Sequence, residues 1–191
     1  VVTVPASYLA TGRSVALTTS ISTETNDDAT DNNDTVSLQP EPANDLSVAV
    51  TAPKALVRDV AATFRVLVAN AGPSASAAVG PGALRLHVGF SGSPGAVAGL
   101  GDVGWQCDSK APLAGERSAW ECRSNTALAS GGEREFTLTV VPRFVDGNDV
   151  FAVTASVSSG LTEIAPGNNA AGAARTVPGY SIYPPPPPRL D

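Results

Sequence analysis

Apolar and polar side chains alternate along most of this chain. Leu46, Val48 and Val50, then Ala62, Phe64, Val66 and Val68, then Leu84, Leu86, Val88 and Phe90 each take every second position. Phe136, Leu138 and Val140, and Phe151, Val153, Ala155 and Val157, do the same. A period of two sends successive side chains to opposite faces of a strand, so each run predicts a strand with one buried face. The segments around Trp105-Gln-Cys107 and Trp120-Glu-Cys122 and the run Ala170–Val177 add strand candidates, and no stretch repeats at the helical period. Seven or so short strands, separated by turn signals such as Asn70-Ala-Gly-Pro73, predict an all-β, immunoglobulin-like β-sandwich. The glycine-rich stretch Ser91–Gly104 reads as a long loop and Asp108–Ala119 as an insert between the two tryptophan-cysteine strands.

Part of this pattern occurs twice. Val15–Asn33 echoes Phe151–Asn169 at an offset of 136 positions, each copy a strand followed by a polar loop that ends in paired asparagines. A Val-Pro step precedes both, Val4-Pro5 and Val141-Pro142. Residues 1–38, with strand candidates at Val1–Val4, Ser14–Ser22 and Thr35–Leu38, are therefore read as the last strands of a partial immunoglobulin-like repeat, too few to bury a core. Residues 39–44 read as a linker, 45–178 as a complete domain and 179–191 as a proline-rich tail, where Pro184–Pro188 imposes polyproline II. That tail is a spacer or a segment that docks in an aromatic-lined groove.

Composition narrows the function classes. Charged residues make up 16% of the 191, the net charge is −6 and no basic run occurs, which gives nucleic acid or an anionic membrane surface no electrostatic hold. No apolar run is long enough to span a bilayer. The absence of methionine and of a signal peptide fits a processed, secreted chain or a piece of a longer one. Cys107 and Cys122 are the only cysteines, each two residues after a tryptophan. Placed on antiparallel neighbours they predict a disulfide closing a loop of about 15 residues, which would contribute on the order of 3 kcal/mol and implies an oxidising, extracellular compartment. Neither a Cys-x-x-Cys spacing nor a set of soft metal ligands accompanies them.

Candidate chemistry is sparse. The acidic loop Glu24–Asp34 clusters hard oxygens from Glu24, Asn26, Asp27, Asp28, Asp31 and Asp34, with Asp45 across the linker, and is a candidate calcium site without the spacing of an EF-hand. A solvated turn in which these side chains cap their own backbone explains the same residues, and Asn33-Asp34-Thr35 also fits a glycan acceptor triplet. The single histidine, His87, lies between Leu86 and Val88 and is expected to face outward from its strand. Motifs for nucleophilic or phosphate chemistry are missing, so no catalytic residue is assigned; a pocket joining His87 to a carboxylate would reopen that question. Aromatic residues are only 5% of the chain, which disfavours a carbohydrate-binding platform and leaves Trp105 and Trp120 as cover for the disulfide.

Taken in order, Asp45-Leu-Ser-Val48, Phe64 to Ser74, Gly104-Trp-Gln-Cys107, Trp120-Glu-Cys122, Gly132 to Pro142, Ala155-Ser-Val-Ser158 and Pro166-Gly-Asn-Asn169 resemble domain-of-unknown-function eleven, a repeat of bacterial surface proteins. The resemblance covers residues 44–178, with the end of a preceding copy over 1–38. It implies tandem immunoglobulin-like repeats in a secreted or wall-attached protein acting as stalk, adhesin or matrix component, with no catalytic residues to carry over. Val15, Leu17 and Ile21 form an apolar face without a partner in residues 1–38, so self-association is expected. A neighbouring subunit would complete the half-domain by strand exchange, with Tyr180, Ile182 and Tyr183 or the strand Ala170–Val177 as donor, and would extend into a filament. Strands of the same repeat lying upstream on one polypeptide would cover the face equally well, and contact with cell wall or glycan is a further expectation.

Overall fold

The computed structural model describes residues 14–22, 32–39, 41–80, 82–98, 104–143 and 150–177. Two strands, β1 (Val15–Ser20) and β2 (Asn33–Leu38), pair antiparallel as a separate two-stranded sheet. The remaining strands are β3 (Ala43–Asn44), β4 (Leu46–Thr51), β5 (Ala62–Asn70), β6 (Arg85–Phe90), β7 (Ser93–Ala98), β8 (Trp105–Lys110), β9 (Ser118–Ser124), β10 (Glu133–Arg143), β11 (Val150–Ser158), β12 (Thr162–Glu163) and β13 (Ala170–Thr176). One sheet has four strands in the order β4-β5-β10-β7, and the facing sheet has five in the order β13-β11-β6-β9-β8. This is an all-β sandwich with immunoglobulin-like architecture, as the alternation predicts.

The predicted inward residues make the core. Leu46, Phe64, Val66, Val68, Leu138 and Val140 from the first sheet meet Leu86, Val88, Phe90, Phe151, Val153 and Val157 from the second, all buried. Phe151 touches both sides, with ring centroids 6.2 Å from Phe64 and 6.1 Å from Phe90. Side chains of this size each contribute about 1.5–3 kcal/mol when fully buried, and the alternation of every strand follows from that gain. Polar residues such as Arg65 and Glu135, which pair at 3.3 Å, occupy the outer face.

Two segments differ from the expectation. Ser93–Ala98, within the stretch read as a loop, forms β7 on the edge of the four-stranded sheet, where it pairs with β10 across a bulge between Val140 and Pro142. Its sequence contains Pro94 and Gly95 and only one large apolar residue, Val97, so propensity does not announce it. Edge strands tolerate such residues because only one side of the backbone is paired. The second difference is at the linker, whose last two residues form β3, parallel to β12, with Asn44 fully buried. β3 and β12 form a small two-stranded sheet of their own beside the sandwich.

Asn70, read as part of a turn, is the hub of this end of the molecule. Its amide nitrogen donates to the carbonyls of Ser74 (2.9 Å), Leu128 (3.2 Å) and Ala129 (3.3 Å), while its oxygen accepts from the backbone N–H groups of Asp45 and Gly72. A side chain at Gly72 would run into the backbone of Asn44 and Asp45, which is why the turn takes glycine there.

Candidate functional site

Cys107 and Cys122 stand directly opposite each other on β8 and β9 and are bonded, with S–S 2.01 Å. Because a strand repeats every two residues, Trp105 and Trp120 lie on the same face as the bridge and flank it diagonally. Trp105 packs on Phe136 with centroids 5.9 Å apart and receives the Arg134 guanidinium over its ring; Trp120 meets Phe90 edge-on at 5.3 Å. Both indoles are therefore spent on packing, away from any exposed stacking platform.

Behind the bridge, the outer face of the five-stranded sheet carries the most closely built polar cluster among the described residues. The connection between β8 and β9 folds back over β6, anchored where Arg117 N donates to Phe90 O at 2.7 Å. It drives the Glu116 carboxylate down onto Gly89, where any larger residue would collide with the carboxylate. His87 Nε2 lies 2.9 and 3.1 Å from the two carboxylate oxygens, Thr154 Oγ1 donates to Oε1 at 2.8 Å and Leu113 N donates to Oε2 at 2.9 Å. The Glu116 side chain is only 9% exposed. Burial pushes its pKa up, but the hydrogen bonds from Leu113, His87 and Thr154 outweigh burial and hold it below the ordinary carboxylate value. A groove of about 630 Å³ runs beside this loop, between Leu113 and the small residues Ala152, Ala170 and Gly172.

His87 thus faces outward as expected, and it does meet a carboxylate at a groove. The arrangement is nonetheless wrong for the usual nucleophile, base and acid relay, in which the imidazole lies between hydroxyl and carboxylate. Here the carboxylate is in the middle, and the Thr154 hydroxyl is turned toward Glu116 instead of toward the imidazole. With its oxygens engaged by several donors and its pKa lowered, Glu116 is a poor base and a good pin. No periodic signal marks it, since its side-chain partners His87 and Thr154 lie 29 and 38 residues away in sequence. In the sequence, the insert Asp108–Ala119 and His87 point to this region.

The candidate assembly face is the hairpin β1–β2. Val15 is opposite Leu38 and Leu17 opposite Val36, so four apolar side chains share one side while Thr18 and Thr35 hydrogen-bond at 3.1 Å on the other. Leu17 is 50% exposed, Val36 53%, Leu38 67% and Ile21 75%. In the echoing copy, the positions matching Val15, Leu17 and Ile21 are Phe151, Val153 and Val157, all buried. Tyr180, Ile182 and Tyr183 lie outside the described residues. Ala170–Thr176, the alternative donor strand, is paired along its length with β11.

Of the acidic loop, Glu24, Asn26, Asp27, Asp28 and Asp31 lie outside the described residues. Asp34 is exposed on β2, and Asp45 accepts from Asn168 Nδ2 at 3.1 Å within the sandwich. Among the described residues no group of three His, Cys, Asp or Glu side chains is placed to hold a metal ion.

No protein-family model and no curated protein matches the chain. Solved structures do. The CARDB domain of a Pyrococcus furiosus protein, determined in complex with di-metal ions, is 18% identical with a TM-score of 0.46, covering 70% of this chain and 88% of that one. An uncharacterised Nocardia farcinica protein with an immunoglobulin-like fold is 13% identical with a TM-score of 0.44, covering 68% and 97%. Domains D2 and D3 of the major pilin SpaD from Corynebacterium diphtheriae are 11% identical with a TM-score of 0.38, covering 70% and 50%. At these identities the likeness is one of fold alone.

Proposed function

We propose that the chain is a non-catalytic structural and adhesive module of a bacterial extracellular or cell-surface protein, built of immunoglobulin-like units in series. One observation carries this reading: among the described residues Leu17 and Ile21 are at least half exposed, whereas the matching Val153 and Val157 of the echo are buried in the sandwich. Leaving such side chains wet forgoes about 1.5–3 kcal/mol each, so the hairpin is the closing pair of a unit whose other strands come from elsewhere. The disulfide supports an oxidising compartment, and Glu116 as a pin supports a non-catalytic role.

Completion by a neighbouring copy gives an open filament where the head-to-tail contact does not close on itself. Completion by preceding strands of the same polypeptide gives a stalk. The variant Leu17→Asp/Ile21→Asp tests both forms, with native mass and electron microscopy as readouts. In the filament form the variant loses fibres while the sandwich stays folded. In the stalk form the secreted species is much longer than 191 residues and the variant unfolds only the first unit. A short native species with Leu17 and Ile21 indifferent to aspartate would refute the reading.

A further inference from the structure

The chain enters and leaves the sandwich at opposite ends. At one pole, Ala43 and Asn44 pair with Thr162 and Glu163, and Asp45 bonds Asn168 beside the start of β13. At the other pole, Arg175 Nε near the end of β13 donates to Pro53 O just past the end of β4, at 3.0 Å. The first and last long strands therefore run side by side in the same direction, each hydrogen-bonded to an antiparallel neighbour within its own sheet: β4 over six residue pairs to β5, and β13 over seven to β11.

We infer that the sandwich is a load-bearing element, sheared between its poles by tension along the polypeptide, with the β3–β12 pairing as the clamp at its entry. The inference rests on the proposed series arrangement only for the source of the load; the mechanical response belongs to the fold. Ladder hydrogen bonds lie perpendicular to their strands. Tension applied through the two ends acts along β4 and β13, so all the bonds of a ladder must fail together, whereas tension that separates two adjacent strand ends breaks them one at a time. The entry pole is stitched beyond what a linker needs. Leu46 N donates to Glu163 Oε1 at 2.9 Å, Ile164 N to Asn44 O at 2.9 Å, Ser74 N to Ala43 O at 3.0 Å and Ala71 N to Asp45 O at 2.8 Å. With its amide turned to match its surroundings, buried Asn44 donates to Thr162 O and Glu163 Oε2 and accepts from the Ser159 hydroxyl. The disulfide, on the edge hairpin β8–β9, lies off this path.

Single-molecule pulling on the chain of 191 residues tests the inference by comparing two attachment geometries. Handles at both chain ends load the shear path. Handles at exposed Val150 and at the carboxyl end peel β13 from β11, since Val150 is opposite Thr176. The expected result is one high-force rupture of residues 43–177 end to end, releasing roughly 400 Å of chain at about 3.6 Å per residue, and low-force stepwise opening in the second geometry. Reduction of the disulfide should leave the rupture force unchanged and add about 50 Å of extension. Glu163→Ala should lower the end-to-end force and leave the peeling force as it was; Glu163→Gln, which keeps an acceptor for the Leu46 amide, should restore most of it. Equal forces in the two geometries, stepwise end-to-end opening or a force that falls on reduction would overturn the load path. An end-to-end force indifferent to Glu163→Ala would overturn the clamp. The geometry comparison uses the native side chains except at the handle and does not depend on the folding of any clamp variant. Absence of fibres or of a longer chain would count against the series arrangement and leave these readings intact.

Discussion

Glu116 receives hydrogen bonds from a histidine, a threonine and a backbone amide, so its removal should release a whole loop rather than one contact. Glu116→Ala removes the shared acceptor of Thr154 and the Leu113 amide, whose freed groups can turn to water, and is expected to cost about 0.5–1.5 kcal/mol, the net range for such hydrogen bonds. Loss of amide protection across Leu113–Arg117 in hydrogen exchange is the accompanying readout. The pH dependence has a defined sign. The folded pKa of Glu116 is below its unfolded value, so its contribution is complete above the unfolded value of about 4.5 and is lost as pH falls through the lower folded one. Loop protection should therefore be flat near neutrality and disappear only in acid; a loss that is already complete near neutrality would show that Glu116 is not the pin. Asn70→Ala removes five hydrogen bonds at one buried position and is expected to be among the most damaging polar substitutions, at about 3 kcal/mol by denaturant melting. Alternation located the buried apolar residues because burial of a strand face imposes a period of two. It was silent on Glu116 and Asn70, since the fold brings His87 and Thr154 to the first from 29 and 38 residues away, and Leu128 and Ala129 to the second from 58 and 59, and such contacts leave no local pattern.

Among the elements, the strands with large side chains on a buried face were all legible, and those held by a neighbour were not. β7 exists because β10 is long enough, at eleven residues, to offer a second partner beyond β5, and β3 because Glu163 and Ile164 pair with its backbone. The disulfide belongs with the legible features, because two Trp-x-Cys segments on antiparallel neighbours place the sulfurs opposite each other. Reducing it should lower stability by about 2–5 kcal/mol without changing the topology, since β8 also pairs with β9 along its whole length. Free-thiol labelling of both cysteines in the untreated native protein would contradict the bridge. The acidic stretch Glu24–Asp34 connects β1 to β2, so a cation bound there would stabilise that hairpin by mass action. Its expected signature is a melting temperature of the first unit that rises with millimolar calcium and falls with chelator; no change would leave the stretch as a solvated turn.

For the molecule as a whole, the unequal burial of its two parts predicts unequal stability. The sandwich has two layers of interdigitated side chains and a disulfide. The hairpin β1–β2 has two strands, and its larger apolar residues are at least half exposed. An isolated pair of strands is marginal in water, so the free chain should not unfold as a single two-state unit. Native-state hydrogen exchange resolves the parts, because protection reports the free energy of the smallest opening that frees each amide. Amides within 15–20 and 33–38 should exchange near the rate of an unstructured peptide, while those of β5, β6 and β11 should be protected by the global stability of the sandwich. Once the missing strands are supplied, whether by a neighbouring copy or by a longer version of the chain, protection should appear first at Leu17 and Val36, which face each other at the centre of the pair. Two alternative patterns carry distinct meanings. Strong protection of the hairpin in the monomer would mean that its apolar face is already covered, which removes the reason for assembly. Exchange that stays fast in the assembled form would mean that the contacts between units lie elsewhere, and that β1–β2 joins the units without completing one.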